Sequence, residues 1–201
     1  MYSDRIHHAL AFATKHHPER VSRHDGHSCL IRSSSVAIIL ARHGVDEHTI
    51  VASILKQLVD ACPYAGQASL AERLTAKFGS LVTDVVWAAA EPRFDVIGRE
   101  RTWKATRFEH LTRLAVGPPA AVDVCVAEEL HRIGSALVSI RRLGVEYLEA
   151  VGVPTPADTL WWLDAFGDAV TGHSRWQRPA LLAEFTRLSQ ELGARLREGS
   201  G

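Results

Sequence analysis

Gly44-Val45-Asp46-Glu47-His48-Thr49-Ile50-Val51-Ala52-Ser53-Ile54-Leu55-Lys56-Gln57-Leu58 is the stretch that decides the fold. Asp46 belongs to the small set of residues whose side chain accepts the free backbone N–H groups at a helix start. Beyond it, Ile50, Ile54, Leu55 and Leu58 recur at helical spacing and predict one strongly buried face. Gly44, just upstream, suits the position that follows the last turn of a preceding helix. One helix therefore ends and another begins within about three residues, the short connection of antiparallel helical neighbours.

Working outward toward the N-terminus, Val36, Ile39 and Leu40, with the preceding Ile31, mark the second helix, which Ser33-Ser34-Ser35 is expected to open. His24-Asp25-Gly26-His27 is a loop, and Ile6, Leu10 and Ala13, flanked by Phe12, place a first helix at 3–16. Toward the C-terminus, Ser69-Leu70-Ala71-Glu72 has capping-box spacing for a short helix that stops at Gly79. Leu81–Val86 reads as helix because of Asp84 and the alanine run after Trp87, and Glu91-Pro92 ends it. Residues 99–115 form a further amphipathic stretch. Gly117-Pro118-Pro119 starts a long helix that runs to Leu143 and stops at Gly144. Thr155-Pro156-Ala157-Asp158 opens a helix carrying Leu160, Trp161, Leu163 and Phe166, and Pro179 opens the last, with Leu181, Leu182, Phe185, Leu188 and Leu192. Nothing alternates with period two over a useful length, so the fold class is all-α, a bundle of roughly 9–10 helices. Neither a solenoid repeat nor a low-complexity linker is present, which predicts one domain over 1–198 and a flexible tail at 199–201.

Composition narrows the function. The chain has 201 residues, of which 46% are apolar and 23% charged, with 23 basic and 23 acidic side chains and no formal net charge. A nucleic-acid partner needs a basic excess or stripe, so none is expected. Arg99, Arg101, Lys104 and Arg107, like Arg141-Arg142, read as solvated helix faces. No segment reaches the roughly 18 consecutive apolar residues of a membrane span, and the N-terminal residues lack a signal-peptide layout. Cys29, Cys62 and Cys125 lie far apart without a CxxC pair, which predicts reduced thiols and a cytoplasmic location.

The order of these pieces carries a family resemblance. Ala11-Phe12-Ala13 with His17, a loop containing Asp25-Gly26, then Val36-Ala37 and Ile39-Leu40 resemble the opening of the RelA/SpoT-type (p)ppGpp 3′-pyrophosphohydrolases, a branch of the HD-domain superfamily. Gly44–Leu55 is similar to that family's third helix, Ser69–Val85 to its acidic helix and following FG-x-x-V, and Val126–His131 to its L-A-D-K-L helix. The resemblance implies an HD-domain helical bundle. It also implies a divalent metal, typically manganese, held by two histidines and two aspartates, with a Glu-Asp pair beside the attacking water. In this chain the first ligand histidine's place holds Arg32, and the histidine-aspartate pair falls on Lys56-Gln57. The Glu-Asp pair falls on Asp60-Ala61, the last aspartate on Glu128, and a nucleotide-contacting asparagine on Arg132.

These departures predict a different chemistry. A hard divalent cation needs anionic oxygen or neutral imidazole nitrogen, whereas Arg32 and Lys56 are cations. At about 4 Å and an effective dielectric of 20, two unit charges repel by about 4 kcal/mol, and the metal carries two. Glu128 alone remains a good ligand, so no bound metal and no manganese-dependent hydrolysis are expected. Arg32 and Lys56 should face Asp60 and Glu128 as an ion-pair cluster in place of the metal; the alternative is a pocket of merely tolerated residues. Arg32, Lys56 and Arg132 are candidate contacts for a guanine nucleotide or other phosphorylated ligand. The leading expectation is a catalytically inactive homologue acting as a nucleotide-binding or regulatory module. One alternative is a phosphohydrolase with a metal-independent site on Lys56, Asp60 and Glu128. Another is a structural subunit with a protein partner or as a homo-oligomer, showing an exposed apolar patch near Trp162 or the last helix. The eleven histidines read as surface or supporting groups, and the cysteines as small buried hydrophobes.

Overall fold

A computed structural model describes residues 3–17, 29–144 and 154–198. Among them the chain forms nine α-helices: α1 (Asp4–His16), α2 (Cys29–Arg42), α3 (Glu47–Ala61), α4 (Gln67–Phe78), α5 (Ser80–Ala89), α6 (Trp103–Val116), α7 (Pro119–Leu143), α8 (Pro156–Thr171) and α9 (Pro179–Glu198). The loop expected at 24–27 and the tail at 199–201 lie outside the described residues.

Helix α3 is the axis of the bundle and packs against α1, α2, α5 and α7. It starts where expected, with the Asp46 carboxylate accepting the Thr49 backbone N–H at 3.0 Å. Every residue from Thr49 to Val59 is buried, because helices cover α3 on all sides. Each fully enclosed Ile, Leu or Val there contributes about 1.5–3 kcal/mol by leaving water. That enclosure also takes Lys56 and Gln57 out of solvent. Helix α7 runs beside α3 and buries Val122, Val126, Leu130 and Ile133 in the same core. A second group of helices closes the other side, with α8 packed on α6 and α9, and α9 on α7. Trp162, Phe166 and Phe185 form an aromatic column there with successive centroids 5.4 Å apart. No helix among the described residues is long and apolar enough to cross a membrane.

Several local expectations are corrected. Helix α4 begins at Gln67, so Ser69 and Glu72 lie inside it and form no capping box. A 3-10 turn at Tyr64–Gly66 already places Gly66 and Gln67 in right-handed helical geometry, leaving no extended residue to act as a cap. Gly79 does end α4, and its φ of +88° lets one residue stop that helix and start α5. Ser33-Ser34-Ser35 does not open α2, which begins at Cys29; Ser33 is buried on its inner face. The amphipathic stretch at 99–115 becomes helical only at Trp103, where Thr102 accepts the Ala105 N–H. Residues 93–101 instead fold back on themselves, joined by Asp95 N–H to Arg99 O and Arg101 N–H to Arg93 O. Tyr64 presses on this turn so closely that a side chain at Gly98 would come within 2.5 Å of its ring.

Candidate site around Lys56

Lys56 sits on α3 one turn before the helix end, with its side chain only 2% exposed. An ammonium removed from water must be paired or lose its charge. Two carboxylates pair it here. Its Nζ lies 2.5 Å from Asp60 Oδ2, one turn along α3, and 2.6 Å from Glu128 Oε2 on α7. The remaining carboxylate oxygens are engaged as well. Asp60 Oδ1 accepts the Glu91 backbone N–H at 3.0 Å, and Glu128 Oε1 accepts Gln57 Nε2 at 3.0 Å. The cluster is a closed cage in which one internal cation joins α3 to α7. Burial opposes the charge on Lys56, but Asp60 and Glu128 outweigh it and hold the lysine pKa above its ordinary value. Burial pushes the Glu128 carboxyl above its usual range, with Lys56 opposing that shift.

The geometry sorts the residues expected at the site. Lys56, Gln57, Asp60 and Glu128 come together. Ala61 lies beside them at the end of α3 and supplies no polar group. Arg32 does not enter the cage, which corrects the expectation of two cations facing two anions. It lies on the exposed face of α2, since Ser33, Val36, Ala37 and Leu40 form the buried one, and it reaches Glu128 only through its field. Arg132 is bonded to Glu129 through both Nε, at 2.8 Å, and Nη2.

Sequence reasoning missed a second layer around the cage. Glu91, expected only as a helix stop, accepts Arg107 Nη1 at 2.6 Å. Burial opposes ionisation of Glu91, yet the Arg107 guanidinium, helped by Lys56, holds its pKa down to about 2. Arg107 is therefore not part of a solvated face. Its guanidinium lies 4.7 Å from the Trp162 ring centroid and 5.6 Å from that of Trp103, a cation held between indoles. Arg101 also leaves the solvated set, donating through Nη1 to Pro92 O at 2.9 Å and to Phe94 O. His110 is buried nearby, and desolvation, reinforced by Lys56, lowers its pKa to about 4, so it is neutral at pH 7. The signal for His110 was available: Thr106, His110 and Leu114 follow each other at four-residue spacing on the inner face of α6.

The donor set does not fit a hard divalent ion. The ammonium fills the space between the two carboxylates, and the nitrogen side of Gln57 faces Glu128. Among the described residues no group of three or more His, Cys, Asp or Glu side chains is placed to hold a metal. Cys125 is buried with its thiol toward Ala89 O, and Cys62 is half-buried with its thiol toward Pro63 O, so these two do not form a thiol pair. The Cys29 side chain lies outside the described residues. Trp162 is itself buried, while its neighbour Trp161 packs against the exposed ring of Phe108, with centroids 5.0 Å apart.

Comparison with known proteins agrees with this architecture. The profile of the HD-domain family matches residues 9–139. A search of curated proteins finds no match. Among solved structures, one described as a metazoan ortholog of SpoT that hydrolyzes ppGpp and plays a role in starvation responses superposes with a TM-score of 0.71. It is 14% identical, with 96% of this chain and 98% of that one covered. The lmo0812 protein from Listeria monocytogenes EGD-e superposes with a TM-score of 0.66 at 18% identity, over 81% of this chain and 99% of that one.

Proposed function

The chain belongs to the HD-domain family, and from that premise we propose that it is a catalytically inactive relative of the (p)ppGpp pyrophosphohydrolases, working in the cytoplasm as a nucleotide-binding or regulatory module without metal. The observation that carries this reading is the Lys56 ammonium, 2.5 and 2.6 Å from the carboxylates of Asp60 and Glu128. A protonated lysine has no lone pair and cannot act as nucleophile or base. Carboxylates bonded to an internal cation and to backbone or amide N–H groups are not free to orient an attacking water. For a phosphorylated ligand the accessible cation is Arg32, exposed near the cage, whereas Lys56 and Arg132 are held by Glu128, Asp60 and Glu129. Incubation with ppGpp or NADPH, with and without manganese, should release neither phosphate nor pyrophosphate. Calorimetry with ppGpp, GTP and ATP should show heat that Arg32→Glu removes. Manganese-dependent pyrophosphate release would overturn the reading, and absence of heat with all three nucleotides would remove its binding half.

One observation favours a second reading, a phosphohydrolase with a metal-independent site. Burial pushes the Glu128 carboxyl above its usual range, the direction in which a general acid is tuned, though Lys56 opposes it. Metal-independent turnover abolished by Lys56→Ala would establish it in place of the first.

A further inference from the structure

We propose that the Lys56 ammonium is the resident cation of this site and shares one place with a divalent ion, so that replacing the lysine converts the chain into a metal binder. The inference rests on the metal-free reading above and adds what excludes the metal. Two carboxylates from different helices converge on a single point, and that convergence is the oxygen environment a hard cation requires. The point is occupied by the chain's own nitrogen, delivered on a side chain 2% exposed. A divalent ion cannot enter beside it, because the charges would meet at contact distance in a buried volume. Nor is Lys56 free to swing aside, because contacts at 2.5 and 2.6 Å tie its ammonium to Asp60 on its own helix and to Glu128 on α7.

Removing the ammonium reverses the balance. Asp60 and Glu128 are then left facing each other with no counter-ion, the arrangement a divalent cation relieves. Histidine at position 56 would supply neutral imidazole nitrogen to the same point. Gln57, adjacent and already bonded to Glu128, can turn its amide oxygen inward once a cation replaces the lysine. Nitrogen and carboxylate donors together suit manganese or zinc, which are the probes to use.

The test compares chelator-stripped wild type, Lys56→His and Lys56→Ala by bound-metal analysis and thermal melting, with manganese and with zinc. Wild type should retain well under one equivalent and melt at the same temperature with or without metal. Lys56→His should bind one equivalent and melt about 5–10 °C higher when metal exceeds its Kd a hundredfold. A Lys56→His protein that folds only when metal is added would support the proposal equally. A folded Lys56→His protein that neither binds nor shifts overturns this inference and leaves the metal-free reading standing. Stoichiometric metal in wild type overturns both. Should neither variant fold under any condition, the ammonium N–H signals of wild-type Lys56 decide by NMR. Signals unchanged by excess zinc support the proposal; displacement of those signals by zinc overturns it.

Discussion

Replacing Lys56 with methionine keeps a long unbranched side chain of similar volume and deletes the charge, so it isolates the cage electrostatically. In the wild type both carboxylates touch the same nitrogen. Without it they stand no more than about 5 Å apart, and at an effective dielectric of 20 their repulsion is about 3 kcal/mol. The folded variant escapes by protonating one of them. Glu128 is the one to protonate, because burial already pushes its carboxyl upward. Holding a carboxyl neutral at pH 7 costs about 1.4 kcal/mol for each unit between that pH and its unfolded value, so the two routes have similar cost. The expected loss of stability at pH 7 is about 3–5 kcal/mol, the range for a buried ion pair broken from one side. Urea unfolding followed by far-UV circular dichroism measures it, with the midpoint falling and the slope unchanged. The deficit should narrow toward pH 5, where the proton becomes easier to supply. A loss below about 1 kcal/mol, the value of a solvent-exposed pair, would refute the reasoning.

Acid stability gives an independent check on the second layer. His110 has a folded pKa of about 4 against an ordinary 6.5, so below pH 6.5 the unfolded chain takes up a proton that the folded chain refuses. Stability should therefore be complete above pH 6.5 and decline as pH falls toward 4, and His110→Phe should flatten that part of the profile. Glu91, held near 2 against an ordinary 4.5, adds a further loss as pH falls from 4.5 toward 2, which Glu91→Gln should abolish. At the other end of α3, Asp46→Ala should lower stability by about 1 kcal/mol through loss of the cap, measured by the same urea titration.

The helices were legible wherever local chemistry sufficed. Asp46 before α3, Thr155-Pro156 before α8 and Gly144 after α7 act within one turn of themselves, so their sequence signatures and their geometry coincide. The boundaries that shifted are those set by contacts from elsewhere. The start of α6 at Trp103 depends on the turn at 93–101, which Tyr64 covers from another part of the chain. At the site, the residue types at the matched positions set Lys56 against Asp60 and Glu128, but they wrongly placed Arg32 in the same cluster.

By itself, the sequence determined the all-helical architecture and the kind of charge standing at each site position, because helical periodicity and side-chain chemistry are local properties. Only the tertiary structure decided that Lys56 points into the bundle while Arg32 stays at its surface, since that depends on which helix faces the neighbouring helices cover. The burial of Arg107 against Trp162, with its partner Glu91 sixteen residues away, was set in the same way. Long-range packing brings those groups together, and the low dielectric it creates is what turns ordinary side chains into a charge network.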